Sequence, residues 1–343
     1  MPAEWEPHDA CWLAWPCAED LWGADLPEVQ ESFAALCRAI AFAPSGGKAE
    51  ALHILVPDAQ REQEARRRLG ALSVRFFHIP FGDIWLRDTA PIFVADSTGE
   101  LTAALFRFNG WGGKYVLPYD DQVAPRVGEA ARTKTVRLDW VLEGGAIDVD
   151  GRGTCLTTRQ CLLNPNRNPR LDREAIERKL ADAVGARTIL WLERGLLNDH
   201  TDGHVDTLAR FVAPGVVVCM EPTGGEDPNR DALQAIAADL ERFTDAMGRR
   251  LEVRRIPSPG KVLGRSGDVL PASYVNFYIA NHSVAVPTYG APADERAVAA
   301  IAQLFPGRRT IAISARALLA GGGALHCITQ QQPARWIRSS AEP

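Results

Sequence analysis

Apolar residues recur at three- and four-residue steps in five stretches of the chain. This spacing predicts amphipathic helices near 27–43, 58–69, 170–184, 228–247 and 292–304. Pro or Asp stands near most of their starts, as helix N-termini favour. Between them lie runs of β-branched and apolar residues that read as strands: ALHILV, IWLRDTAPIFVA, GTCLTT, TLARFV, GVVVCM, VNFYIAN and SVAVPT. PSGGK, at 44–48, reads as the loop between a helix and a strand. Short strands alternating with amphipathic helices point to an α/β fold.

A coarse period runs through this pattern. Five polar motifs each precede or interrupt a strand-like run: DIWLRD at Asp83, EGGAID at Glu143, DGHVD at Asp202, SYVNF at Ser273 and GGGALHC at Gly321. The intervals are 60, 59, 71 and 48 residues (143−83, 202−143, 273−202, 321−273). A repeat of roughly 60 residues suggests one supersecondary unit used about five times. Length by itself would allow about two domains; the repeat instead favours a single pseudo-symmetric α/β domain over 1–343, with five motifs converging on one axis.

Composition narrows the setting. The 46% hydrophobic and 24% charged residues are ordinary for a globular protein. The net charge of −5 and the lack of a basic, aromatic-interleaved patch argue against nucleic-acid binding. No apolar run approaches a membrane span, and no basic-then-apolar leader opens the chain, so a cytoplasmic location is expected. Seven unevenly spaced cysteines do not make a disulfide framework.

The motifs hold the candidate chemistry. If DGHVD is a strand, Asp202, His204 and Asp206 share a face, and carboxylates beside an imidazole favour its protonated form. A surface strand with a satisfied histidine reads the motif equally well. If DIWLRDTAP is a strand, Trp85 and Arg87 share one face and Asp88 the other. A salt bridge from Arg87 would satisfy one of the two carboxylates there, not both. In LEGGAIDVDG, the glycines after Glu143 permit unusual backbone or close ligand approach, though a bulge followed by a hairpin turn explains them too. Cys37 falls on a helix's apolar face; Cys155, Cys161 and Cys219 fall in strand-like or apolar runs, and Cys11 and Cys17 in the Trp-rich N-terminal segment. All six read as structural. Cys327 differs by its glycine-rich and polar neighbours. His326 would point away from it on a strand, which leaves His204 as the better partner. There is no CxxC, HExxH or paired Cys/His spacing, so a metal site is not expected. Several carboxylates around a thiol suggest a planar cationic substrate, because a guanidinium matches two carboxylates.

Seven stretches taken in order carry a family resemblance: MPAEWEPHDACWLAWP, DIWLRDTAP, FNGWGGKY, LEGGAIDVDGRGTCLTTRQCLLNPNRNP, TDGHVDTLARF, SYVNFYIAN and GGGALHCITQQQP. Together they resemble the agmatine deiminases, in the porphyromonas-type peptidylarginine deiminase group of the guanidine-modifying superfamily, from residue 1 to about 333. The resemblance implies a five-bladed α/β propeller (pentein) of ββαβ-like units. It implies hydrolysis of agmatine to N-carbamoylputrescine and ammonia, with no metal or organic cofactor. Cys327 would be the nucleophile and His204 the general acid/base. Asp88 and Asp206 would hold the guanidinium, Glu143 would line the site, and Trp85 would pack near the alkyl chain. Gly322 and Gly323 would leave room for the flat cation, and Asp199 and Asp202 would serve the distal amine. The alternatives are a deiminase of arginine or peptidyl-arginine, and a non-catalytic binding protein of the same fold. The family is often dimeric, which makes a homodimer a possible assembly.

Overall fold

The computed structural model describes residues 1–96 and 98–335. Five small sheets carry the fold, and four of them repeat one plan. Two antiparallel strands are followed by a helix that crosses to a third strand, parallel to the second. The first such unit is β4 (Ile92–Ala95), β5 (Leu101–Arg107), the helix Asp120–Ala130 and β6 (Lys134–Val141). The next is β7 (Asp148–Val149), β8 (Thr154–Thr158), the helix Arg173–Val184 and β9 (Thr188–Leu192). Then come β10 (Ala209–Ala213), β11 (Val216–Glu221), Arg230–Arg242 and β12 (Glu252–Pro257). The fourth is β13 (Tyr278–Ile279), β14 (Ser283–Thr288), Asp294–Leu304 and β15 (Arg309–Ser314).

The fifth sheet takes strands from both ends of the chain. β16 (Gln330–Pro333) pairs antiparallel with β1 (His8–Ala14), setting Gln331 opposite Cys11 and Gln330 opposite Trp12. Parallel crossovers through the helices Leu26–Ile40 and Ala59–Leu69 add β2 (Ala51–Val56) and β3 (Val74–His78). The architecture is the five-bladed α/β propeller, and the roughly 60-residue period is the blade. Each polar motif lies just before the first strand of a blade: β4, β7, β10, β13 and β16.

The helices form because each has one apolar face to bury. Along Leu26–Ile40, Val29, Phe33, Leu36, Cys37 and Ile40 are fully buried at helical spacing. Each large side chain so buried contributes about 1.5–3 kcal/mol. Asp58 and Asp172 cap the helices that follow them, accepting from the backbone N–H of Arg61 and Ala175 at 2.8 Å. Among the described residues no helix is long and apolar enough to cross a membrane.

Two expected strands are not strands. Leu86–Thr89 is a single helical turn, and Val205–Thr207 is a turn of 3-10 helix. The alternating faces inferred for DIWLRDTAP and DGHVD therefore do not apply. The turns satisfy the backbone locally: the Asp88 N–H donates to Trp85 O at 3.1 Å and the Leu208 N–H to Val205 O at 2.9 Å. The Arg87 N–H donates instead to Cys327 O at 3.1 Å, tying the first motif to the fifth.

Candidate active site

A cavity of about 270 Å³ opens between these turns, with Asp83, Trp85, Asp88, Trp111, His200 and Cys327 among its walls. Among the described residues Asp88 is, with Asp83, one of two carboxylates on the cavity wall. Its Oδ2 accepts from Trp111 Nε1 at 2.8 Å and its Oδ1 from the Gly145 N–H at 2.9 Å. His204 Nδ1 is 3.7 Å from Asp88 Oδ2, and His204 Nε2 is 4.0 Å from Glu143 Oε2. Cys327 Sγ is 3.7 Å from Asp206 Oδ2 and 3.3 Å from Asn276 Nδ2. The five residues expected to be chemical are therefore brought together, each at least nine-tenths buried.

Gly145 explains how they fit. A Cβ on it would stand 2.6 Å from His204 Nδ1, 3.0 Å from Asp88 Oδ1 and 3.1 Å from Asp206 Oδ2. The EGG glycines therefore serve packing as well as backbone shape, for a Cβ on Gly144 would lie 2.1 Å from the Arg87 carbonyl oxygen. Glu143 is fixed from behind by Arg167 Nε at 2.8 Å.

The glycines before Cys327 line the cavity, and side chains also pack closely against them. A Cβ on Gly321 would meet Trp22 at 2.4 Å, one on Gly322 would meet His200 at 2.9 Å, and one on Gly323 would meet Trp85 at 2.5 Å. Gly322 also has φ +104, a conformation L side chains rarely adopt. Lacking a Cβ, the glycines let two indoles and an imidazole pack against this turn.

The electrostatics depend on burial and on neighbouring charge. Burial raises the Asp88 carboxyl, with Asp206 and Glu143 adding to the rise against the pull of His204. Burial disfavours charge on His204, yet Asp88, Cys161 and Glu143 outweigh it and push the imidazole well above its ordinary value. Burial also opposes ionisation of Asp206, but His326 overcomes it and holds that carboxyl below its usual range. Burial, then Asp206 and Asp88, push the Cys327 thiol well up. The surroundings thus favour the neutral form of the thiol and the protonated form of the imidazole.

Several contributors were not singled out in the sequence. His326, set aside there, lies 2.8 Å from Asp206 Oδ2 through Nδ1 and 2.7 Å from Glu4 Oε2 through Nε2. It supports Asp206 rather than pointing away. Asn276, in SYVNF, bonds the Cys327 sulfur. Cys161, read as merely structural, lies beside His204. The ligand atoms of Glu143, Cys161 and His204 lie within 4.8 Å of one another, a spacing that could hold a metal ion. The imidazole is already placed between two carboxylates, so the arrangement also makes sense as a means of holding its proton.

Asp199 and Asp202 stay outside the cavity walls. Asp202 pairs with Lys114 Nζ at 2.7 Å and with Arg167, and accepts from Asn166 Nδ2 at 3.0 Å. Asp199 braces the loop, accepting from the Thr201 N–H at 2.9 Å and the Gly203 N–H at 2.8 Å. Their carboxylates are occupied in building the turn that presents His204. Among the described residues no Lys or Arg lines the cavity.

The family model described as Porphyromonas-type peptidyl-arginine deiminase matches residues 1–333. A Pseudomonas aeruginosa agmatine deiminase is 40% identical, over 97% of this chain and 95% of that protein. Among solved structures, agmatine deiminase of Enterococcus faecalis is 36% identical with a TM-score of 0.90, over 98% of this chain and 96% of that one. A cysteine-to-serine variant of the C. jejuni agmatine deiminase with substrate bound is 29% identical with a TM-score of 0.87, over 98% and 96% of the two chains.

Proposed function

Because the chain belongs to the Porphyromonas-type peptidyl-arginine deiminase family, we propose that it hydrolyses agmatine to N-carbamoylputrescine and ammonia. One observation carries this reading: Asp83, Asp88, three indoles and the Cys327 thiol wall a cavity, with His204 behind Asp88 at 3.7 Å, Asp206 behind the thiol at 3.7 Å, and no Lys or Arg among the described lining residues. A guanidinium matches the carboxylates, an alkyl chain matches the indoles, and a second cationic end meets no repulsion. The α-carboxylate of arginine would find no partner there.

The reaction follows from the charges. The guanidinium enters between Asp88 and Asp206 and offsets the negative field that holds Cys327 neutral, so the thiol gives its proton to solvent water and becomes a thiolate. The thiolate attacks the guanidinium carbon and forms a C–S bond. His204 gives its proton to the departing nitrogen, the C–N bond breaks, and ammonia leaves an amidino-thioether. Water then attacks the same carbon and yields a proton to His204. The C–S bond breaks, the remaining hydroxyl proton passes to the departing thiolate as the carbonyl forms, and the thiol and the ureido product are released.

The test is a comparison of initial rates on agmatine, arginine and a peptidyl-arginine. Agmatine should exceed arginine in kcat/KM by about 100-fold or more, since a mismatched charge in such a site costs several kcal/mol. Turnover of arginine or peptidyl-arginine with agmatine inert would overturn the reading. A second expectation concerns Gly145. Gly145→Ala places a methyl against His204 and both carboxylates, and should lower kcat by about 100-fold because such sites tolerate little misplacement. An unchanged kcat would mean that this packing is not part of the chemistry.

A further inference from the structure

Asp83 is the other carboxylate on the cavity wall, and the reaction above does not use it. It is 6% exposed, and both of its oxygens are held by indoles. Oδ1 accepts from Trp22 Nε1 at 2.9 Å and Oδ2 from Trp85 Nε1 at 2.8 Å. Each oxygen keeps further accepting capacity, since a carboxylate offers about four lone-pair positions. Burial pushes its carboxyl upward, and the two indole bonds only partly oppose that. A buried carboxylate with no cation beside it is costly unless a charge arrives to pair with it.

Trp85 sets the distance of Asp83 from the chemistry. The six-membered ring of Trp85 packs at Gly323, where an added Cβ would also stand 3.0 Å from the Cys327 Cβ. The opposite end of the same indole donates to Asp83. Asp83 and the thiol are therefore separated by about the length of one indole, with the Trp22 ring 5.8 Å from that of Trp85, centroid to centroid, continuing the apolar wall. That span is on the scale of a four-carbon chain. The two acids expected to meet the distal amine, Asp199 and Asp202, are engaged elsewhere.

We propose that Asp83 anchors the distal ammonium of the substrate, so that its indole-held carboxylate selects diamine-derived guanidines. The inference rests on the deimination reading and adds the residue that recognises the far end. It is tested with Asp83→Asn and two substrates, agmatine and n-butylguanidine, which lacks the amine. In the unaltered protein, agmatine should have a KM about 30-fold or more below that of n-butylguanidine, the range of a desolvated ion pair. Asp83→Asn should raise the agmatine KM by a similar factor, with kcat nearly kept and n-butylguanidine unaffected. Equal KM values for the two guanidines in the unaltered protein would overturn the proposal, even if the variant did not fold. So would an unchanged agmatine KM in the variant, or an equal loss on both substrates, which would make Asp83 a brace for the indoles. Failure of the unaltered protein on both guanidines would sink the deimination reading itself, and this proposal with it.

Discussion

Cys327→Ala is expected to lower agmatine turnover by at least about 10⁴-fold, because a nucleophile removed from a covalent mechanism has no substitute. Cys327 is the one thiol among the described residues of the cavity wall. The fold should survive, since the Asn276 and Asp206 side chains that meet the sulfur both keep other bonds. The check is ammonia release from matched amounts of folded protein, with circular dichroism and a melting curve as the folding control. Turnover above a few per cent of the original would remove Cys327 from its role. A companion measurement reads the charge state. Burial, Asp206 and Asp88 push the free thiol well up, so neutral iodoacetamide should label Cys327 slowly near pH 7.5. A haloacetamidine carries its own cation, offsets the two carboxylates, and should label the same residue much faster. Equal rates for the two reagents would show that the cation does not assist the thiol.

Much of the blade plan was legible because helices and middle strands obey simple periods. The exceptions have physical causes. The helix Asp120–Ala130 was missed because Pro125 and Gly128 interrupt its pattern; Gly128 is there because a Cβ would stand 3.0 Å from Thr135. β16 was missed because QQQP has no apolar alternation. It is held by polar side chains instead: Arg87 donates to Gln330 Oε1 at 2.9 Å and Gln331 Oε1 at 2.6 Å. The motifs before each first strand were read as strands because their residues have strand propensity. In the structure they are turns, since pointing Asp88 and His204 at one place requires the chain to leave the sheet.

The site divides in the same way. Cys327 stood out by its glycine-rich and polar neighbours, while the roles of His204, Asp88, Asp206 and Glu143 came from the family resemblance, since each motif taken alone also had a structural reading. The residues behind them were not, because support depends on long-range pairing that no spacing reports. His326 looked wrong only while a strand was assumed around Cys327. Cys161 looked structural because nothing local places it at His204. One supporting residue did leave a signal: Arg210, inside the apolar run TLARFV, is a charge that must find partners.

Arg210→Met should destabilise the protein by about 3–5 kcal/mol at pH 8, because it strips the cation from buried carboxylates. Arg210 is fully buried. Its Nε donates to Asp148 Oδ1 at 2.8 Å, its Nη2 lies 2.9 Å from Glu4 Oε2, and its Nη1 donates to Phe277 O at 3.0 Å. Through Glu4 the network reaches Arg87, and His326 and hence Asp206, so it links all five motifs and the N-terminal segment. Burial opposes charge on Glu4, but Arg210, His326 and Arg87 hold its carboxyl well below the ordinary range. A depressed carboxyl stabilises the fold above its unfolded value and loses that contribution as pH falls through the folded value. Without Arg210 the Glu4 carboxyl rises, so the variant can take up the missing proton as pH falls. The gap between variant and original should therefore narrow from pH 8 to pH 5. Urea unfolding at the two pH values reads this directly. Adding Glu4→Gln to Arg210→Met should recover part of the loss, since Gln removes the unpaired charge while keeping a hydrogen-bonding group beside His326. Equal unfolding midpoints for Arg210→Met and the original protein at pH 8 would mean that the buried ion network contributes specificity of the site and not stability of the fold.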